Sequence, residues 1–235
     1  MTFLDQFSPT CNFSVVKNLF LNKIKLKISD PTPRPYIGRP YDIELIKKQE
    51  SAYTDFVTML KNHFAEVLKP QVIGREHLPQ ENGIIYVANH LEWFDFLPII
   101  FATEGKFLHY LAASNFYAEY TGRRFQRIGC VFVDRSDPQD AFRATKSLLQ
   151  ILKQGGNVLI FPEGHRNKTW NLLGEMKIGI GKLAKIAKVP IVLLFNCHTP
   201  LGNSLSGLCA SIIRMHKKSK RLFVIGAYCR SFNST

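Results

Sequence analysis

The sequence predicts an α/β fold, in which a mostly parallel mixed sheet is flanked by helices and preceded by an N-terminal amphipathic helical segment. The first reason is that short apolar runs alternate with amphipathic stretches from about residue 70 onward, the order of strand–helix–strand units with right-handed crossovers. The second is that the apolar runs are continuous, as in strands buried on both faces. The third is size, because 235 residues, 46% of them hydrophobic, suit one domain with a sizeable core and a short appended segment.

The N-terminal part of the chain divides into an arm and a helix. Four prolines between residues 28 and 40 exclude a regular helix there. From residue 42 to residue 68, apolar side chains recur at steps of three and four, which predicts an amphipathic helix. Its apolar stripe consists of Tyr53, Phe56, Val57, Leu60, Phe64, Val67 and Leu68. The stripe either packs on the protein core or lies, with the arm, in a membrane interface. We therefore separate an N-terminal segment, residues 1–68, from an α/β domain, residues 69–235.

Strands and helices alternate along the α/β domain. The predicted strands are residues 83–88, 107–113, 130–133, 157–161, 190–196 and 221–228, the last of them at an edge of the sheet. The predicted helices are residues 95–103, 116–127, 138–153 and 175–188. Ligands of such sheets bind at the carboxyl ends of the strands. The segments that directly follow strands are therefore the ones expected to carry chemistry, namely residues 89–95, 134–135 and 162–166.

The chain carries a formal net charge of +13, and its C-terminal quarter holds most of the excess. No acidic residue follows Glu175, whereas ten basic residues do. They are Lys177, Lys182, Lys185, Lys188, Arg214, Lys217, Lys218, Lys220, Arg221 and Arg230. A field of this sign favours an anionic partner, which could be nucleic acid, acidic lipid headgroups or a phosphorylated substrate.

Cysteine usage and hydropathy bear on the compartment. The five cysteines are scattered and odd in number, which suits neither a disulfide framework nor a zinc site and favours a reducing compartment. No segment holds the roughly 18–20 uninterrupted apolar residues that span a bilayer. Asp5 precedes the first lysine, Lys17, whereas a signal peptide begins with positive charge. We therefore expect a protein that is soluble or attached to a membrane surface.

His90 and Asp95 form a candidate catalytic pair. On one continuous helix, a five-residue offset turns the second side chain about 140° away from the first. Across a strand-to-helix turn the two can meet, and the carboxylate could then accept an imidazole N–H and raise the basicity of the ring. The other ring nitrogen would take a proton from a substrate hydroxyl, which typically contributes about 10²–10⁴ in rate. The pattern is short and common by itself. Ser114, Ser136 and Ser147 lack a nucleophile-elbow context, which favours direct attack by the hydroxyl.

Two further segments contain residue types that bind anions. Pro162 and Gly164 shape a turn directly after a predicted strand, and Arg166 in that turn can hold a phosphate in bidentate fashion. Glu163 could hold hydroxyls or orient a basic residue. Arg135 follows another predicted strand and could be a second phosphate ligand. Each arginine could equally be a solvated or salt-bridged surface residue.

These segments resemble the four sequence blocks of the PlsC-type glycerolipid acyltransferases. Asn89-His90 with Asp95 is similar to the first block, N-H-x4-D. Residues 129–135, Gly-Cys-Val-Phe-Val-Asp-Arg, resemble the second block, G-x-x-F-[IV]-x-R. Residues 161–167, Phe-Pro-Glu-Gly-His-Arg-Asn, resemble the third block, F-P-E-G-T-R-S. Residues 189–192, Val-Pro-Ile-Val, resemble the fourth block, V-P-[IV]-[IV]. Residues 177–184 also resemble the helix between the third and fourth blocks. Four blocks in order across about residues 71–195 make a specific match, although each block alone is weak.

The resemblance implies transfer of a fatty acyl group from an acyl thioester to a hydroxyl of a lysophospholipid. It makes His90 the general base and Asp95 the residue that positions it. It places Arg135 and Arg166 on the acceptor phosphate. The other implied site residues are Glu163 for acceptor binding, Gly164 for the turn and Pro190 for the acyl-side wall. No metal or cofactor is implied, and the cosubstrate is acyl-CoA or acyl-carrier protein.

The specific expectation is a 1-acyl-glycerol-3-phosphate acyltransferase that makes phosphatidic acid in phospholipid biosynthesis, as a peripheral or monotopic protein on the cytoplasmic face of an anionic membrane. The acceptor could instead be glycerol 3-phosphate, another lysophospholipid or a lyso-aminolipid, and a tafazzin-like transacylase is a further alternative. The third block departs from the family pattern, with His165 in place of Thr and Asn167 in place of Ser. These departures bear on the acceptor headgroup, and His165 is either a second base or a simple substitution.

A function of another class would be nucleic-acid binding through the basic run at residues 214–221. No RNA- or DNA-binding motif accompanies that run, and no aromatic residue is interleaved with it. We therefore expect no nucleic-acid partner. An inactive or purely structural membrane-associated homologue is the remaining alternative, although His90, Asp95 and Arg166 are all present.

Overall fold

A single mixed sheet of seven strands organises the described part of the chain. The computed structural model describes residues 46–68, 70–91, 95–116, 125–126, 128–168, 174–177, 179–197 and 222–229. The strands are β1 (Pro70–Ile73), β2 (Ile85–Ala88), β3 (Leu108–Ala113), β4 (Cys130–Val133), β5 (Asn157–Ile160), β6 (Ile191–Cys197) and β7 (Leu222–Cys229). They lie in the order β1-β7-β6-β2-β5-β3-β4. Every neighbouring pair is parallel except β1 and β7, which confirms the predicted α/β class.

The helices cover both faces of this sheet. They are α1 (Ile46–Leu68), α2 (Phe96–Ala102), α3 (Pro138–Lys153) and α4 (Gly179–Ala187), with short helical turns at Arg75–His77 and Ser114–Phe116. The side chains of β2, β4 and β5 are all buried. On β2, Ile85 and Val87 pack with α3 and α4, whereas Tyr86 and Ala88 pack with α2 on the other face. Burial on both faces is why these strands have continuous apolar sequences.

Helix α3 has the bounds that its sequence predicts. The Asp137 side chain accepts a hydrogen bond from the Gln139 backbone N–H at 2.8 Å, and Pro138 occupies the first turn, so the N-terminus carries two ordinary start signals. By contrast, the helix predicted over residues 175–188 begins only at Gly179. Residues 174–177 have no regular secondary structure, and the Lys177 N–H donates to the Pro162 carbonyl at 3.0 Å. The segment before α4 is therefore tied to the turn after β5.

The prediction that residues 221–228 form an edge strand is wrong. Strand β7 lies between β6 and β1, and Pro70 to Ile73 of β1 pair antiparallel with Cys229 to Gly226. The edge strand on this side of the sheet is thus β1, which is four residues long and begins with proline. Short strands and proline are both typical of sheet edges, since proline has no N–H to offer a further strand. Four residues are also too few to give a recognisable period in the sequence.

The described half of the α1 stripe packs on the protein core. Tyr53, Phe56, Val57 and Leu60 are buried and contact α2, and the Tyr53 hydroxyl lies 2.9 Å from that of Tyr110 in β3. The outward side chains of this half are polar and exposed, at residues 50, 51, 54, 55, 58 and 62. The side chains of Phe64, Val67 and Leu68, and the whole of residues 1–45, lie outside the described residues. The division of the chain at residue 68 therefore stays a prediction.

Neither a membrane-spanning helix nor a cluster of metal ligands occurs in the described ranges. None of the helices within them has the length and hydropathy needed to cross a bilayer. The same part of the chain contains no group of three or more His, Cys, Asp or Glu side chains placed to hold a metal ion.

Candidate active site

The candidate site forms at the carboxyl edge of the sheet, where the segments after β2 and β5 meet. These two strands are directly paired in parallel, with Val87 opposite Ile160. The residues that follow them therefore leave the sheet side by side, at the end where ligands of such sheets bind. The segment after β4 reaches the same place from beyond β3, because the order there is β5-β3-β4.

His90 and Asp95 meet across the turn between β2 and α2. Nδ1 of His90 lies 3.0 Å from Oδ2 of Asp95. Asp95 precedes the first residue of α2, but its carboxylate turns back to the loop and also accepts the Leu91 N–H at 2.6 Å. Asp95 is fully buried, whereas the His90 side chain is 21% exposed. Because the carboxylate accepts the Nδ1–H, Nε2 of His90 is left as the basic nitrogen. His90 is also the member of the pair that is partly exposed to solvent.

The turn after β5 holds His90 from three further directions. Oε1 of Glu163 accepts the His90 backbone N–H at 2.9 Å. The Asn167 N–H donates to the His90 carbonyl at 2.6 Å, and the imidazole stacks on the Phe161 ring with a centroid distance of 4.3 Å. Glu163 is only 1% exposed. The side chain expected to bind acceptor thus contacts the backbone of the expected base, and its role in acceptor binding stays a prediction.

Asn89 and Asn196 fix the start of the same turn, and sequence reasoning did not identify Asn196. Oδ1 of Asn89 accepts the Asn196 N–H at 2.7 Å, and Nδ2 of Asn89 donates to the Asn196 carbonyl at 3.0 Å. Nδ2 of Asn196 lies 3.3 Å from the carbonyls of both Asn89 and Asp95. The amide of Asn89 therefore continues the pairing of β2 with β6 beyond the end of the strand. No local pattern marks Asn196, because only the register of β6 against β2 brings it there.

Cationic side chains collect around Gly164. The Arg135 guanidinium donates to the Gly164 carbonyl, and partial burial lowers the pKa of Arg135 from its ordinary value. Gly164 has φ +73°, and a Cβ built on it would lie 3.4 Å from both Cε and Nζ of Lys177. Arg166 follows two residues later and is exposed. Two cations from other segments, Arg135 and Lys177, thus lie beside a turn that itself carries Arg166, and Lys177 is the one that sequence reasoning did not name as a binding residue.

Asp134, the neighbour of Arg135 in sequence, is engaged elsewhere. Its carboxylate accepts the Ser136 hydroxyl at 2.6 Å and the Ser136 N–H at 2.9 Å, and these hydrogen bonds lower the pKa of Asp134. Among the described residues, no ion pair joins Asp134 to Arg135. The charge of Arg135 is therefore not neutralised by its neighbour in sequence.

Pro190 and His165 are not part of this cluster of contacts. Pro190 precedes β6, and its carbonyl accepts the N–H of Ile85 at the amino end of β2. Five residues of nearly extended chain separate Ile85 from His90, which is about 16 Å at ~3.3 Å per residue. A role for Pro190 in an acyl-side wall stays a prediction, and it would require the acyl chain to run along the sheet. His165 is exposed on the turn, and its role as a second base also stays a prediction.

The geometry defines a site in which a buried carboxylate orients a histidine beside a group of cations, and comparison with known proteins gives the family. The family model described as Acyltransferase matches residues 69–194, more than half of the chain. The chain therefore belongs to the acyltransferase family.

Three relatives agree with that assignment. A 1-acyl-sn-glycerol-3-phosphate acyltransferase of Chlamydomonas reinhardtii is 32% identical over 133 residues, 55% of this chain and 40% of the relative. The human 1-acyl-sn-glycerol-3-phosphate acyltransferase alpha is 30% identical, over 53% of this chain and 44% of the relative. The Bacillus subtilis 1-acyl-sn-glycerol-3-phosphate acyltransferase is 28% identical, over 52% and 59%. The chain thus spans about half the length of the curated relatives it matches.

The fold also resembles a crystal structure. PlsC from Thermotoga maritima, a 1-acyl-sn-glycerophosphate (LPA) acyltransferase, superposes with a TM-score of 0.51 and 18% sequence identity. The match covers 92% of this chain and 80% of PlsC. At that identity the likeness concerns the fold alone.

Proposed function

We propose that this protein is an O-acyltransferase that moves a fatty acyl group from an acyl thioester to the free hydroxyl of 1-acyl-glycerol-3-phosphate, giving phosphatidic acid. The observation that carries the proposal is the His90–Asp95 pair, 3.0 Å apart, beside the cations at Gly164. A base next to an anion-binding turn suits an acceptor that has both a hydroxyl and a phosphate. The names of the relatives, which match the same region of the chain, support that acceptor.

In the proposed reaction, Nε2 of His90 takes the proton of the acceptor hydroxyl as its oxygen attacks the thioester carbonyl. The buried Asp95 carboxylate stabilises the imidazolium that forms and keeps the ring in the required tautomer. A C–O bond forms, and the tetrahedral intermediate then expels the sulfur by breaking the C–S bond. The departing thiolate accepts the proton from His90, which returns the base to its neutral state and completes the transfer.

The phosphate of the acceptor would be held by the cations around Gly164. Arg135 and Arg166 each offer several N–H donors in a planar arrangement that suits phosphate oxygens, and Lys177 adds a point charge. Because the three residues come from three different segments, they can surround an anion instead of meeting it from one side. This arrangement favours a phosphorylated acceptor over a neutral one.

We also propose that the protein works at an anionic membrane surface, on the side where acyl-CoA or acyl-carrier protein is supplied. Both the acceptor and the product are lipids, and the net charge of +13 favours contact with acidic headgroups. Residues 1–45, which include the arm, and the basic run at residues 214–221 lie outside the described residues.

One assay tests acceptor and donor together. Purified protein would be incubated with 1-acyl-glycerol-3-phosphate, glycerol 3-phosphate, other lysophospholipids and a lyso-aminolipid, each with acyl-CoA, with acyl-carrier protein or without a thioester, and products would be identified by mass. We expect phosphatidic acid from the first acceptor, only when a thioester is present. The His90→Ala variant should stay folded, and its rate of acyl transfer should be lower than that of wild type by a factor of about 10²–10⁴. Transfer without a thioester would indicate a transacylase, and full turnover by His90→Ala would refute the base assignment.

A further inference from the structure

Glu163 is a buried carboxylate whose surroundings differ from those of an acceptor-binding group. It is 1% exposed, and its Oε1 accepts a hydrogen bond from the His90 backbone N–H at 2.9 Å. Oε2 is fully buried and has no hydrogen-bond partner among the described residues. Burial of a carboxylate is costly unless its oxygens are engaged. The one engaged oxygen therefore points to what the side chain does, which is to hold the backbone of His90.

Gly174 leaves the space that this carboxylate occupies. A Cβ built on Gly174 would lie 2.6 Å from Oε2 of Glu163 and 3.3 Å from its Cδ, distances too short for any side chain to be added without moving the carboxylate. The segment that contains Gly174 is fixed against the turn by the hydrogen bond from the Lys177 N–H to the Pro162 carbonyl at 3.0 Å. The carboxylate is thus held between the His90 backbone on one side and the Gly174 backbone on the other.

The hydrogen bond of Glu163 acts on the part of His90 that sets the direction of its ring. The His90 carbonyl is fixed by the Asn167 N–H at 2.6 Å, and its Nδ1 is fixed by Asp95 at 3.0 Å. Without Glu163, the N–H of His90 loses the only described hydrogen bond that it makes, and the peptide plane between residues 89 and 90 is then held only by the longer contact, 3.3 Å, from Asn196 Nδ2 to the Asn89 carbonyl. A displacement of about 1 Å at a catalytic group can cost about 10²-fold in rate.

We propose that Glu163 is a positioning residue for the general base, acting through the His90 backbone N–H, and that residue 174 is glycine because the Glu163 carboxylate needs its space. This inference rests on the proposed function, since it takes His90 to be the base. It deepens that function by giving the turn after β5 two separate roles. Glu163 and Asn167 hold the base, whereas Arg166 is the residue of this turn that the proposed function assigns to the acceptor phosphate.

Three variants separate positioning from acceptor binding. Glu163→Gln keeps an oxygen that can accept the His90 N–H, so we expect kcat within about threefold of wild type. Glu163→Ala removes that acceptor, and Gly174→Ala displaces it by steric contact without altering any charged group. Both should lower kcat by about 10- to 100-fold and leave KM for the acceptor within about twofold. Gly181→Ala is the matched control, because a Cβ there meets nothing within 4 Å, and it should behave as wild type.

Amide hydrogen exchange, followed by NMR, gives a readout that does not depend on turnover. The His90 amide should exchange faster in Glu163→Ala and Gly174→Ala than in wild type, while Glu163→Gln and Gly181→Ala stay protected. Thermal unfolding of each variant identifies any that are globally destabilised, and the exchange comparison is then made under conditions where all are folded.

Two results would overturn the inference. One is a rise in acceptor KM at unchanged kcat in Glu163→Gln and Glu163→Ala, which is the expectation for direct contact with the acceptor. The other is unaltered protection of the His90 amide in Gly174→Ala. If the wild-type protein transfers no acyl group to any acceptor, the proposed function fails, and the exchange measurement still decides whether Glu163 holds the His90 backbone.

Discussion

At the scale of single residues, the site depends on side chains that gain their roles from distant partners. Lys177 follows Glu163 by fourteen residues in the sequence, yet its Nζ comes within 3.4 Å of a Cβ position at Gly164. Arg135 reaches the same glycine from β4 through a hydrogen bond to its carbonyl. Because a glycine with φ +73° adds no side chain, the turn stays open between these cations. An anion could approach the turn there.

The first prediction concerns these cations. Arg166→Ala and Lys177→Ala should each raise KM for the phosphorylated acceptor by about tenfold or more, since a hydrogen bond to a charged group contributes about 1.5–3 kcal/mol. KM for the acyl thioester should change much less. Steady-state kinetics with each substrate varied in turn would measure both effects. Lys185→Ala, an exposed lysine in α4, is the control, and equal effects on the two substrates would argue against a phosphate contact.

Sequence reasoning predicted that His90 and Asp95 could meet, but it did not predict the contacts that support them. His90, Asp95 and Arg135 were predictable because they follow apolar runs that are recognisable as strands. Asn196 and the contact between Glu163 and His90 were not predictable, because they depend on the register of β2 against β6 and on the path of the turn after β5. Such non-local geometry leaves no periodic signal in the chain.

At the scale of elements, α1 is joined to the sheet by an aromatic cluster. The Tyr53 ring lies 4.9 Å from that of Phe107 and 6.3 Å from that of Tyr110. Phe56 stacks on Phe96 of α2 at 6.5 Å. Aromatic pairs at these distances contribute about 0.5–1.5 kcal/mol each beyond the area that they bury. The first half of α1 therefore belongs to the folded core.

The second prediction tests this attachment. Tyr53→Phe removes one hydroxyl of the buried pair with Tyr110, 2.9 Å apart, and should lower the free energy of unfolding by about 1 kcal/mol. Tyr53→Ala should lower it by about 3–5 kcal/mol, because it also leaves a cavity. Thr54→Ala, on the exposed side of the same helix, should stay within about 0.5 kcal/mol of wild type. Urea unfolding would measure all three, and a neutral Tyr53→Ala would mean that α1 does not stabilise the fold.

The elements themselves were largely predictable, and the exceptions share a cause. Strands β2 to β6 and helix α3 have strong local patterns, so their positions followed from apolar runs and start signals. Strand β1 is too short for a pattern, and the placement of β7 beside it depends on pairing that the sequence of β7 does not specify. The late start of α4 likewise follows from one long-range hydrogen bond at Lys177.

At the scale of the whole molecule, one buried histidine links folding stability to pH. His109 of β3 is fully buried, and desolvation lowers its pKa from 6.5 to about 4. In the unfolded chain His109 has its ordinary pKa of 6.5. Between pH 6.5 and pH 4 the unfolded state therefore carries more protons than the folded state. The free energy of unfolding therefore decreases as pH falls through this range. The full effect is about 3 kcal/mol, from ~1.4 kcal/mol per pKa unit.

The third prediction isolates that effect. The free energy of unfolding would be measured by urea at several pH values from about 7 to about 4, and wild type should lose about 3 kcal/mol more than His109→Leu over this interval. The comparison concerns the slope with pH, so a constant offset from the substitution does not affect it. Parallel slopes for wild type and His109→Leu would exclude His109 as the source.

The charge of the whole molecule gives the last prediction, which concerns attachment to a membrane surface. Binding to phosphatidylcholine vesicles that contain phosphatidylserine should weaken as salt rises from about 0.1 M to about 1 M, because the Debye length falls from ~10 Å to ~3 Å. Replacement of Lys217 and Lys218 by Gln should weaken it by about 30-fold at low salt, at ~1 kcal/mol for each lysine near the surface. The control replaces Lys146 and Lys153, two exposed lysines of α3, and removes the same charge. If both double variants lose the same amount of vesicle binding, net charge alone determines attachment. If binding does not weaken as salt rises, the protein is attached by apolar insertion and not by the basic C-terminal region.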